Sequence, residues 1–131
     1  MNGYRTLREV CKMLKSSRRA IQGYEKIGLI MASARNKYGH LLYDEETVNR
    51  IAGIQYCQKL GLELKEIAAL TKEEKQNVCD RLENHLVNLA IKKEELDYLI
   101  SKTDEIIEAI QSSDNNFLDI IHEKIKEDLC N

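Results

Sequence analysis

The chain of 131 residues has no proline, only six glycines and four cysteines, and its 20 basic and 22 acidic side chains nearly cancel to a formal net charge of -2. Each shortage excludes something. Without proline and with so little glycine, no flexible Gly/Ser linker divides the chain. Cys11, Cys57, Cys79 and Cys130 lie far apart with no Cys-x-x-Cys pairing, so neither a disulfide framework nor a zinc finger is indicated. No apolar run approaches the length of a membrane span, and the N-terminus lacks the basic-then-apolar design of a signal peptide. A cytoplasmic protein with no membrane partner is therefore expected. Catalytic patterns are missing too. Glu45-Glu46 and Glu94-Glu95 are adjacent rather than facing carboxylates, no nucleophile stands beside a base, and the glycines mark turns rather than a phosphate loop, so the expectation is no enzyme and no cofactor.

What is present is an uneven division of charge. Residues 1 to 62 hold 11 Lys+Arg against 5 Asp+Glu, a net +6, whereas residues 63 to 131 hold 9 against 17, a net -8. Such asymmetry marks a polyanion-binding part joined to one that should not bind polyanions.

In the basic half, Leu7, Val10, Cys11 and Leu14 recur at helical spacing, with Thr6 as cap and Glu9 three residues on. Lys15-Ser16 makes a short turn. Ser17 then caps a basic helix in which Ala20, Ile21 and Tyr24 are available to pack on the first, and Gly28 supplies the left-handed residue that ends it. The first turn of this helix offers backbone N–H groups, a hydroxyl and the guanidinium groups of Arg18 and Arg19 to phosphates or base edges. Residues 30 to 43 are expected to form two short strands around Gly39, carrying Arg35, Lys37, Tyr38 and His40. Asp44 caps a helix to about Leu60, with Val48, Ile51, Ile54 and Cys57 inward, and Gly61 ends it; Leu64, Ile67, Ala68 and Leu70 make a short fourth helix.

From about Lys75 to Gln111 the apolar period changes. Leu82, Leu86, Leu89, Lys93, Leu96, Ile100, Thr103, Ile107 and Ile110 alternate spacings of four and three, the seam of a coiled coil interrupted by Lys93 and Thr103. Such a helix would span roughly 55 Å, too long for the small head to bury, so it needs a partner helix. After a polar break at residues 112 to 116, Phe117, Ile121, Ile125 and Leu129 share one face of a final amphipathic helix, which must dock on something, most simply the arm or head of a partner subunit.

These segments resemble the MerR-type transcriptional regulators, whose winged helix-turn-helix carries a pattern like Ser-x-Arg-Thr-Leu-Arg-Tyr-Tyr-Glu-x-x-Gly-Leu-Leu. Ser17, Arg19, Tyr24, Glu25, Gly28 and Leu29 sit on that pattern. Arg35, Gly39, Tyr43 and Asp44 to Glu46 sit on the family's wing, and Leu60-Gly61-Leu62-Glu63-Leu64-Lys65-Glu66-Ile67 is similar to its turn into a fourth helix. The resemblance implies a mainly α fold: a winged helix-turn-helix head with a small two-stranded wing over residues 1–72, a coiled-coil dimerisation helix over 73–112 and a short C-terminal helix over 113–131. It implies a homodimer joined through an antiparallel coiled coil at Leu82, Leu86, Leu89, Leu96, Ile100, Ile107 and Ile110. It further implies binding to a palindromic site in double-stranded DNA, with distortion of a promoter that RNA polymerase then engages. Longer family members append a ligand-binding domain where this chain stops, so no substantial effector pocket is expected.

DNA contacts are expected at Ser17, Arg18, Arg19, Gln22, Tyr24, Arg35, Lys37, Tyr38 and His40; the resemblance puts the hydroxyl of Tyr24 on a phosphate, and His40 reads equally as an ordinary turn residue. Two departures stand out. Gln22-Gly23 replaces the usual Arg-Tyr and His40-Leu41 the usual Tyr-Arg, which removes two cations. Gln22 can instead bond an adenine edge, so a different operator is expected. Two other classes stay open. One is a protein-interaction module in which coiled coil and last helix recruit a partner while a degenerate head no longer binds DNA. The other is a thiol-based metal sensor built on Cys79, His122 and Cys130, although those relatives carry paired cysteines after the helix and this chain does not. Cys11 and Cys57 fall on inward helix faces and read as core.

Overall fold

The computed structural model describes residues 3–130. In chain order the elements are β1 (Arg5–Thr6), α1 (Leu7–Leu14), α2 (Arg18–Lys26), β2 (Ala34–Arg35), β3 (Leu41–Tyr43), α3 (Glu45–Lys59), α4 (Leu64–Leu70), α5 (Lys75–Gln111) and α6 (Phe117–Cys130). They fall into two compact units, Met1–Arg81 and Leu82–Asn131, with the boundary inside α5.

The helix starts in the first unit are set by caps within three residues of one another. Thr6 and Glu9 form a reciprocal capping box on α1, the Ser17 hydroxyl accepts from Ala20 N–H at 3.1 Å, and the Asp44 carboxylate accepts from Thr47 N–H at 2.8 Å. The ends are set by left-handed residues. Gly28 and Gly61 follow α2 and α3 with φ near 85° and 88°, and Lys15, with φ 51°, turns the chain from α1 to α2 without a glycine.

The wing differs from expectation in having a third strand. β1 pairs antiparallel with β3, Thr6 opposite Leu42, so the sheet order is β1-β3-β2. Two residues are too few to show a period of two, and Thr6 is already spoken for as the cap of α1, so the sequence shows the helix and hides the strand. Beneath the sheet and helices lies one apolar core of Val10, Ile21, Tyr24, Leu29, Ile30, Tyr43, Val48, Ile51, Ile54, Leu62 and Ile67, with Cys11 and Cys57 half-buried against it.

In the second unit α5 is continuous to Gln111 and buries none of its side chains. α6 turns back along it. Lys102 Nζ lies 3.1 Å from Asp128 and Lys124 Nζ 3.5 Å from Glu105, so residue numbers rise in opposite directions along the two helices. The Asp128 carboxylate is the largest influence holding the Lys102 pKa above its ordinary value. The docked face of α6 only partly matches the expected one: Ile120 is buried and Ile121 half-buried, while Phe117, Ile125 and Leu129 are exposed. The helix therefore rests on its own arm through a face centred on Ile120 and Ile121, with Asp128 and Lys124 paired to Lys102 and Glu105 of α5.

Candidate nucleic-acid interface

The second helix is fixed from three sides, and the fixing leaves one face bare. Ile21 is fully buried in the core. Tyr24, only 3% exposed, donates its hydroxyl hydrogen to Gln58 Oε1 on α3 at 2.7 Å, and burial raises its pKa. Glu25 accepts from the hydroxyl of Tyr43 on β3, whose pKa is pushed well up by burial first and by this carboxylate second. The α3 helix also reaches the start of the motif, where Gln55 Nε2 donates to Leu14 C=O at 3.1 Å, and the end of it, where Arg50 Nε donates to Leu29 C=O at 2.6 Å. Gln55, Gln58 and Arg50 were not singled out in the sequence. Their partners lie 41, 34 and 21 residues away, which no local pattern reveals.

Arg18, Arg19 and Gln22 remain exposed on the free face of α2, with Ser17 at its head, its hydroxyl already committed to the cap. Gly23 follows Gln22, and a Cβ placed on it would meet nothing within 4 Å, so this part of the helix presents open backbone.

The wing tip is organised by Asn36, also missed in the sequence. Its Oδ1 accepts from the N–H groups of Tyr38 and His40 at 2.9 and 3.0 Å, the side-chain mimic of a turn that Asn favours. Gly39 supplies the left-handed residue, and Arg35 Nη1 donates to Gly39 C=O at 2.7 Å, stapling the loop base to its tip. The tip then projects Lys37, Tyr38 and His40 into solvent. The Lys37 ammonium lies 5.1 Å from the centre of the Tyr38 ring, and the His40 ring centre is 6.2 Å from it.

The cysteine and histidine candidates are spread out. Cys79 is exposed on the part of α5 in the first unit, and His122 and Cys130 are exposed on α6 in the second. Among the described residues, no three His, Cys, Asp or Glu side chains of this chain gather into a set that could hold a metal ion.

Helix, tight turn, fixed second helix and adjacent wing define a winged helix-turn-helix protein followed by a long helical arm. The family described as MerR HTH family regulatory protein matches residues 5–74, and the chain belongs to that family. It is 30% identical over 119 residues to the HTH-type transcriptional regulator YfmP of Bacillus subtilis, covering 90% of this chain and 78% of that protein. It spans 30% of the length of the nodulation protein NolA of Bradyrhizobium sp. (strain NC92), which it matches at 33% identity over 56% of this chain. The fold is shared with a MerR family transcriptional regulator from Bacillus cereus, at a TM-score of 0.76 and 23% identity over 95% of this chain and 98% of that one. It is also shared with HiNmlR, a MerR family regulator lacking the sensor domain, solved bound to promoter DNA, at a TM-score of 0.61 and 18% identity over 82% of this chain and 86% of that one.

Proposed function

We propose that this protein is a sequence-specific, DNA-binding transcriptional regulator of the MerR type that acts as a homodimer on a palindromic promoter site. The observation that carries this is the bare face of α2. A helix held by its core, by Gln58 and by Tyr43 presents two arginines and a glutamine with no competing protein partner among the described residues, beside a wing whose tip is basic and aromatic. Arg19 and Gln22 enter the major groove, and Ser17, Arg18, Arg35, Lys37, Tyr38 and His40 meet the flanking backbone. Tyr24 contributes chiefly by setting the angle of the helix, since its ring is buried and its hydrogen goes to Gln58.

The head, the coiled-coil arm and the last helix divide the labour as 1–72, 73–112 and 113–131. The arm joins two copies antiparallel and fixes the distance between heads, and bending and untwisting of the bound promoter adds indirect readout and alters what RNA polymerase meets. Such a protein works in the cytoplasm, where the DNA is, and carries out no reaction. The seam supports the dimer: Leu96 and Ile100 are 58% and 65% exposed, and with Leu99, Thr103 and Ile107 they line an open apolar groove along α5. Thr103 does not spoil it, because its hydroxyl donates to Leu99 C=O of its own helix at 2.7 Å.

Selection from a pool of random duplexes tests the proposal. The wild-type protein should enrich a palindrome that Arg19→Ala fails to retain. Absence of any enrichment at low salt would shift the assignment to a protein-interaction module.

A further inference from the structure

A cleft of about 380 Å³ opens between the start of α1, the first residue of α2 and the wing, lined by Thr6, Leu7, Arg8, Arg18, His40 and Leu41. Its two leucines are half-buried, its two arginines and His40 are exposed, and no acidic side chain lines it. The nearest acid in sequence, Glu9, is occupied: it accepts from Thr6 N–H at 3.0 Å and lies 3.9 Å from Arg5. Arg5, Arg35, Arg50 and Arg81 each engage a carboxylate or a carbonyl, whereas among the described residues Arg8, Arg18 and Arg19 engage neither, and of these three Arg8 and Arg18 line the cleft. Two uncompensated guanidinium groups and an imidazole converging on one cleft are a seat for an anion with several acceptor oxygens.

We propose that this cleft seats a backbone phosphate of duplex DNA, with Arg8 as a contact residue beside Arg18 and His40. The proposal rests on the DNA-binding function above and adds α1 to a surface otherwise made of α2 and the wing. It also locates a replacement for the cation missing where Leu41 stands: the charge has moved from β3 to the facing helix α1. A phosphate held there is gripped from the recognition helix and the wing at once, which fixes their common register on the duplex without reading sequence.

The test is the salt dependence of binding to a mixed-sequence duplex, for which no operator need be known. Removing one phosphate-neutralising cation lowers the slope of log K against log salt by about 0.9. Arg8→Ala should lower it by about that amount per protomer, weaken all sequences equally and leave the selected palindrome unchanged, while Arg8→Lys should keep most of the slope as a point charge. An Arg8→Ala protein that is folded by circular dichroism and has the wild-type slope would overturn the seat and leave the DNA-binding function standing. A wild-type protein that binds no duplex at any salt would overturn both. Inorganic phosphate, titrated against the free protein and followed at the arginine side chains by NMR, separates the sources of anion. Tight saturation that Arg8→Ala removes, with an unchanged duplex slope, would assign the cleft to a free anion and overturn the DNA seat.

Discussion

At the scale of the residue, the head shows where its backbone is compromised. Lys15 takes a left-handed conformation that costs an L-residue about 1–2 kcal/mol, so Lys15→Gly should gain about 0.5–1 kcal/mol after the extra entropy of the unfolded glycine, read as a higher denaturant midpoint. Gly23 is the opposite case, a glycine in helical backbone with open space around it. Gly23→Ala should stabilise by about 0.5–1 kcal/mol, and no gain would mean that the unfolded chain is already restricted there. Two carboxylates carry a pH dependence. Backbone N–H bonds from Thr6 and Thr47, as the leading causes, hold Glu9 and Asp44 below their ordinary values of 4.5 and 3.8. Because the folded values are the lower ones, the stabilisation is complete above the ordinary values and is lost as pH falls through the folded ones. Thermal midpoints should therefore drop on acidification below about pH 4, and Asp44→Asn, which keeps a capping oxygen but cannot titrate, should flatten part of that fall.

Among the elements, those governed by neighbours three or four residues apart were legible in the sequence. The capping box at Thr6 and Glu9, the caps at Ser17 and Asp44, the stop at Gly28 and the span of α5 all follow from spacing alone. What escaped depends on chain that is distant or short. β1 is two residues long, and the hold of α3 on α2 joins Gln58 to Tyr24 across 34 residues. The docked face of α6 was ambiguous because a helix with Ile120 and Ile121 adjacent has two apolar faces to choose between. The candidate site was legible to the same degree: its arginines were visible as a basic run after a cap, but Arg8 joins them only because the wing folds back beside α1. Ile120→Ala should release α6, seen as a loss of amide protection over residues 117 to 130 while the head stays protected; unchanged protection would mean that the ion pairs at Lys102 and Lys124 hold the hairpin alone.

For the whole molecule, the basic head and acidic arm are a device of orientation. Under the proposed function, the half with net +6 is drawn to a duplex and the half with net -8 is repelled by it. Assembly is the property to measure at this scale. Replacing Leu96 and Ile100 together by glutamate should turn a dimer into a monomer by analytical ultracentrifugation and remove palindrome selection, while a single head keeps its weak, salt-sensitive grip on any duplex. A double variant that remains dimeric would place the joining surface elsewhere than the seam.

That α5 runs through 37 residues without burying one has a consequence for dose. In the proposed dimer, a helix whose seam is exposed in the single chain is stabilised by mass action, so its melting temperature should climb with protein concentration, and the number of competent molecules should rise with the square of the amount made until pairing saturates. Under the proposed function, a promoter answering to such a dimer responds to its abundance with a threshold set by the apolar stripe.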